Sequence, residues 1–240
     1  MGIAWYDICY IMTRKNSSEV VFLEQIDLSD EQIAETRVTY ESNADKYVLN
    51  YERRPGALEE ARLFTLDPFL RALEKYNLKG KILFTGCGSG RDLEEATRQG
   101  FNCVGIDTSL HMINIGKIMG IASPLMEMNM EKMDFPSNSF DGIFCETAIA
   151  HVKKKSLNSL LLSFKKVLTS GGMLLITFRK GDGRVYLTED KAGGKRYYIT
   201  VTRRRAEKYL KDLGFEIIGK SSHKVGDRPP YYNLLAINKK

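Results

Sequence analysis

The run Ile82-Leu83-Phe84-Thr85-Gly86-Cys87-Gly88-Ser89-Gly90 passes from an apolar strand into three alternating glycines. No other segment of the 240-residue chain limits its fold as strongly. Glycines at this spacing allow a tight turn, let a ligand approach the backbone and present it to a helix N-terminus. A helical pattern with Leu93 and Ala96 inward follows, and then a strand from Cys103 to Asp107, 17 residues beyond Gly90. An acid ending that second strand suits hydrogen bonding to ribose hydroxyls. A glycine turn alone carries little; strand, loop, helix, strand and acid in this order predict a nucleotide-type ligand.

The alternation continues. Met112 to Met119 reads as helix, Pro124 to Met128 and Gly142 to Glu146 as strands, Leu157 to Leu168 as an amphipathic helix, and Met173 to Phe178 as a strand. Strands alternating with helices imply a mostly parallel sheet covered on both faces. The end differs, with a helix from Thr202 to Leu213 and strands at Phe215–Gly219 and Tyr232–Asn238 that should pair antiparallel at the sheet edge. The expected fold is α/β: a Rossmann-like, seven-stranded, mostly parallel sheet with helices on both faces and a C-terminal antiparallel edge strand.

Upstream, Ser29 and Gln32 form a capping-box signature before a helix carrying Ile33, Tyr40, Tyr47 and Tyr51, and a second helix is expected from Gly56 to Tyr76. Residues 1–28 read as an N-terminal extension whose only strand-like run is Val20–Leu23. Residues 29–240 read as one domain, with 29–78 a helical lid and 79–240 the core.

Composition excludes several classes. With 43% apolar and 28% charged residues, the chain is neither disordered nor fibrous. No apolar run approaches the roughly 20 residues of a membrane helix. Asp7 interrupts the apolar N-terminus, which lacks a basic leader. We expect no membrane partner and a cytoplasmic location. Cys9, Cys87, Cys103 and Cys145 form no CxxC and have no zinc-like spacing with histidine, so no metal is expected and the thiols should be reduced.

Two nucleotide classes compete for the glycine loop. Dinucleotide enzymes favour Gly-x-Gly-x-x-Gly, and Arg91 breaks that spacing. From residue 36 to 240 the chain resembles the class I S-adenosylmethionine (SAM)-dependent methyltransferases, in particular the small type 11-like group. The resemblance rests on the glycine loop, Asp107, the stretch Asn129 to Asp141, His151-Val152, Leu168-Thr169-Ser170-Gly171-Gly172-Met173-Leu174, and Leu213-Gly214-Phe215-Glu216. It implies SAM as cofactor. Gly86, Cys87, Gly88 and Gly90 would face its methionine part, Asp107 the ribose, Thr108 and Met112 the adenine, Asn129 and Met130 the adenine edge, with Cys145 near the sulfonium. Met112 and Met130 are also compatible with core packing. Two positions depart from the family pattern. Phe84 replaces the acid that helps hold the cofactor's ammonium group, and Asn129 replaces the aspartate opening the adenine loop.

Methyl transfer from a sulfonium is an in-line displacement, so a base is needed only when the acceptor arrives protonated. His151 and Glu146 are the candidate bases, and Tyr40 and Tyr47 the candidate aromatics over the cofactor. Charge points to the acceptor. Residues 1–150 hold 15 basic against 23 acidic residues, whereas residues 151–240 hold 21 against 7. Eleven of the basic residues lie in 179–211, which begins at the carboxyl edge of a strand. Arg203, Arg204 and Arg205 follow a Thr202 cap, where the helix dipole disfavours cations. Arg179, Arg203 and Tyr231, together with Tyr40 and Tyr47, are the candidate substrate contacts. The expected function is methyl transfer to a small-molecule or peptidic acceptor bearing negative charge. The alternatives are an RNA (tRNA) methyltransferase, with nucleic acid as partner, and a non-catalytic SAM-binding protein.

Overall fold

The computed structural model describes residues 19–23, 25–189, 192–224 and 230–240. Residues 1–18 of the expected extension, and Cys9 with them, lie outside the described residues. In chain order the strands are β1 (Glu19–Leu23), β2 (Lys81–Thr85), β3 (Asn102–Asp107), β4 (Leu125–Glu127), β5 (Phe140–Cys145), β6 (Leu168–Arg179), β7 (Val185–Glu189), β8 (Lys195–Ile199), β9 (Phe215–His223) and β10 (Tyr231–Asn238). The α-helices are α1 (Asp30–Ser42), α2 (Ala44–Tyr47), α3 (Ala57–Ala61), α4 (Asp67–Lys75), α5 (Arg91–Arg98), α6 (Leu110–Ile118), α7 (Leu157–Val167) and α8 (Arg203–Asp212).

Seven strands form the main sheet in the order β4-β3-β2-β5-β6-β10-β9. The first five are parallel, and β10 runs antiparallel to both neighbours. The last strand is antiparallel, as the sequence suggests, and sits one place in from the edge, with β9 outermost. Because side chains alternate across a strand, each central strand feeds two cores. Leu83, Ile143, Cys145, Leu174 and Ile176 meet α7 and α8 on one face; Ile82, Phe84, Phe144, Met173 and Leu175 meet α4 and α5 on the other. Helix α7 shows the matching helical period: Leu157, Leu160, Leu161, Phe164 and Val167 are all buried. Each such side chain contributes about 1.5–3 kcal/mol relative to exposure.

The expected helix from Gly56 to Tyr76 is interrupted. A π-helical turn, Arg62–Leu66, separates α3 from α4, and Pro68 follows it at the start of α4. A second π-turn, Val48–Glu52, follows α2. Inserted π-turns re-aim side chains along a helix. The capping box at Ser29 forms: Gln32 N–H donates to Ser29 Oγ, and Ser29 N–H to Gln32 Oε1.

A second sheet is new relative to the sequence reading. Strands β1, β7 and β8 form a three-stranded antiparallel sheet, in which the strand-like run Val20–Leu23 pairs with residues 185–188. Tyr197 N–H donates to Thr36 Oγ1 at 3.0 Å, tying β8 to α1.

Candidate active site

Parallel strands leave their carboxyl ends, and the loops after them, at one edge of the sheet, and chain order reverses beside β2. There β2 leads into Gly86, β3 ends on Asp107, β5 leads into Glu146-Thr147, and β6 ends on Arg179. Gly86 sits at φ +64, and a Cβ on it would fall 2.2 Å from Ala148 Cβ, so the turn admits no side chain. Thr147 is left-handed at φ 58, which a β-branched residue rarely adopts; it swings the chain from β5 into the 3-10 turn Ala148–His151.

Two adjoining cavities open at this edge. The first, about 850 Å³ and open to solvent, is lined by Tyr40, Tyr47, Gly86, Gly88, Asp107, Thr108, Met112, Asn129, Met130, Glu146 and His151 among others. The second, about 960 Å³ and also open, is lined by residues including Glu52, Phe84, Cys87, Arg91, Asp92, Glu146 and Tyr231. The sequence-derived candidates are therefore largely brought together. The exceptions have physical reasons. Cys145 points into the core beneath the cleft, wholly buried, and burial pushes its thiol up to about 11. Gly90 lines neither cavity and caps α5, and Arg179, at the end of β6 behind Tyr231, lines neither as well. Arg203 is exposed on α8, its guanidinium 5.3 Å from the Tyr232 ring, away from both cavities.

Asp107 is oriented by backbone donors. Its Oδ2 accepts Gly88 N–H and its Oδ1 accepts Ser109 N–H, each at 2.9 Å. Each oxygen keeps a lone pair for a further donor. Burial raises its pKa, and these hydrogen bonds oppose that. Asn129 Oδ1 caps the turn Met130–Lys132 by accepting Glu131 N–H. Met112 is buried against Ala44 and Val48 while still lining the cavity, so it serves packing as well.

On the opposite wall, His151 Nδ1 lies 2.6 Å from the Tyr197 carbonyl oxygen, and its Nε2 lies 3.1 Å from Tyr40 Oη. A carbonyl only accepts, so Nδ1 carries the proton, Nε2 is the bare nitrogen, and the Tyr40 hydroxyl donates to it. Burial, reinforced by the charges of Arg179 and Arg196, pushes the His151 pKa down to about 4. The imidazole is therefore neutral at physiological pH. Because the unfolded histidine titrates near 6.5, unfolding takes up a proton between about pH 4 and about pH 6.5. The His151 contribution to stability is complete above that window and falls as pH drops through it. The carboxyls raised in the fold act in the opposite sense, so the difference between the native chain and His151→Gln in urea unfolding from pH 7 to pH 4 isolates the effect. We expect that difference to shrink on acidification; a pH-independent difference would contradict it.

Sequence reasoning did not single out Glu52, Arg91 or Arg196. Arg196 is 5% exposed, with its guanidinium 5.4–5.7 Å from the ring centroids of Tyr40, Tyr47 and Tyr51. Arg179 lies 4.2 Å from the Tyr198 ring and 4.9 Å from that of Tyr231. Its Nε and Nη1 are buried without a hydrogen-bond partner among the described residues. Glu146 is held between Thr65 and Arg91, and burial together with Asp92 pushes its pKa up to about 8.

Comparison with known proteins accords with this geometry. A family described as "Methyltransferase domain" matches residues 83–176. Phosphoethanolamine N-methyltransferase 1 of Arabidopsis thaliana is 31% identical over 184 residues, covering 70% of this chain and 35% of that protein. Phosphoethanolamine N-methyltransferase 3 of the same plant is 29% identical over 228 residues, 86% of this chain and 44% of that protein. The chain thus spans between a third and a half of the length of these curated relatives. Among solved structures, the Burkholderia thailandensis 1,6-didemethyltoxoflavin-N1-methyltransferase aligns with a TM-score of 0.66 at 17% identity, covering 96% of this chain and 98% of that one. Magnesium protoporphyrin IX methyltransferase from Synechocystis PCC 6803, with bound SAM, gives 0.67 at 14% identity over 88% of this chain and 99% of that one. Among the described residues, no helix is long and apolar enough to cross a membrane. A glycine turn without room for a side chain, a desolvated acid beside it, and two adjoining cavities that share Glu52, Gly86 and Glu146 fit SAM. On fold, site and family match together, residues 83–176 form a methyltransferase domain of the class I SAM-dependent type.

Proposed function

We propose that this chain methylates the amine of a small phosphorylated amino alcohol of the phosphoethanolamine type. The carrying observation is Arg179. A guanidinium with two buried N–H groups lacking acceptors, backed by aromatic faces and placed with Arg196 near His151, suits a phosphate or similar anion. Desolvated cations are costly unless paired, so the site gains when the anion arrives. The names of the relatives supply the amine.

In this reading Asp107 holds the donor's ribose, with Thr108, Met112, Asn129 and Met130 around its adenine. The donor supplies an activated methyl group, leaving the protein to align the acceptor and remove its proton. Arg179 and Arg196 hold the acceptor's anionic end. An ammonium must lose a proton before its nitrogen has a lone pair for attack. Tyr40 Oη can take that proton while passing its own to His151 Nε2 along the 3.1 Å hydrogen bond. Glu146, already engaged by Arg91 and Thr65, orients the loop and is not the base.

Labelled-methyl transfer with the purified chain tests this. Phosphoethanolamine should be turned over far faster than ethanolamine at equal concentration. Arg179→Gln should raise the KM for phosphoethanolamine by about 10- to 150-fold, the loss of one charged hydrogen-bonding group, without altering affinity for the demethylated donor. Equal use of ethanolamine would refute the assignment.

A further inference from the structure

Where the family pattern places an acid for the donor's ammonium group, this chain has Phe84, 2% exposed and in ring contact with Phe144. Yet a carboxylate reaches the glycine loop from another element. Glu52 closes the π-turn Val48–Glu52, and its Oε2 accepts Ser89 N–H at 3.1 Å and the Ser89 hydroxyl. The other oxygen, Oε1, has no hydrogen-bond partner among the described residues. It stands over Gly88, 2.0 Å from where a Cβ would lie, at a residue with φ +57. Only glycine leaves that space.

The location of Oε1 is informative. Glu52 lines both cavities, standing where the one around Asp107 meets the one around Arg91. A nucleoside held by Asp107 would direct its amino-acid tail across that boundary. An α-amino acid is a zwitterion, and beyond the boundary Arg91 is already paired with Asp92 at 2.8 Å and with Glu146 at 3.3 Å. The open oxygen of Glu52, at the mouth of this carboxylate-rich end, suits the tail's ammonium.

We propose that Glu52 binds the α-ammonium of the donor, replacing from the helical segment the acid that Phe84 displaces from the sheet. This rests on the reading of the cleft as a SAM site. Its consequence is that residues 48–52 must be docked on the glycine loop for the tail to be held.

The test compares S-adenosylhomocysteine with its analogue lacking the α-amino group, by calorimetry on the full chain. The native protein should prefer the amine-bearing ligand, and Glu52→Gln should weaken its binding by about 10- to 100-fold. Binding of the deaminated analogue should be the same in both proteins, which also shows the variant to be folded. Undiminished affinity for S-adenosylhomocysteine in Glu52→Gln would overturn the proposal. So would equal weakening of both ligands, which would make Glu52 a latch for the loop alone. If the native protein bound neither, the SAM reading itself would fall.

Discussion

His151→Gln should lower kcat for phosphoethanolamine methylation by about 10²- to 10⁴-fold while leaving the affinity for S-adenosylhomocysteine within about twofold. The size follows from the role proposed for the histidine. Its Nδ1 is fixed by the Tyr197 carbonyl, so its bare Nε2 is aimed at Tyr40 without having to reorient. Burial and two nearby guanidinium groups keep it unprotonated, and an anion pairing with those guanidinium groups would ease the charge it takes on with the proton. Glutamine preserves a polar group of similar reach but cannot take up the acceptor's proton. Tyr40→Phe should produce a loss of the same order, and the double variant little more than either, because the two side chains act as one unit. A kcat within about threefold of native for His151→Gln would show that the acceptor sheds its proton to water.

The second large effect is on the donor. Asp107→Ala should weaken S-adenosylhomocysteine binding by about 100-fold or more, since two charge-assisted hydrogen bonds to ribose hydroxyls are each worth about 1.5–3 kcal/mol. The same carboxylate also fixes the Gly88 and Ser109 N–H groups, so part of the loss comes from the glycine turn relaxing. Asp107→Asn separates the contributions: it keeps one acceptor and should bind with intermediate affinity. Calorimetry measures both, with circular dichroism to verify the fold. Native-like affinity in Asp107→Ala would move the ribose elsewhere.

The parallel core was legible because its signals are local. A strand with every second side chain on the same face, a glycine turn and an acid at a strand end survive as patterns in one dimension, and the structure places Gly86, Asp107, Glu146 and His151 around one cleft. The second sheet was obscured by its charge. Val185-Tyr186-Leu187-Thr188 and Tyr197-Tyr198-Ile199 flank Gly193-Gly194, a hairpin signal in hindsight, but the eleven basic residues of 179–211 drew the reading toward an anionic acceptor and away from strand pattern. Arg196 is buried because three tyrosine rings from the helical segment close over it, a long-range contact that spacing does not encode. Arg203 illustrates the converse. Its awkward position on the helix dipole suggested a ligand, and the fold instead lets the side chain lie across Tyr232 at the surface. Glu52 escaped notice because its relation to Ser89 joins residues 37 positions apart through a π-turn that helical periodicity does not anticipate.

Thr147 bears on how this protein can evolve. A left-handed backbone at a β-branched residue costs of the order of 1–3 kcal/mol, a sizeable fraction of the 5–15 kcal/mol by which domains are usually stable. Selection for heat resistance alone would favour glycine or asparagine at position 147, where the strain disappears. Such lineages would gain melting temperature at the point where the chain turns from β5 toward His151, and would lose the stiffness that sets the angle of that turn. Position 147 is therefore where durability and turnover compete in this fold, and where a thermostable descendant would be expected to show its compromise.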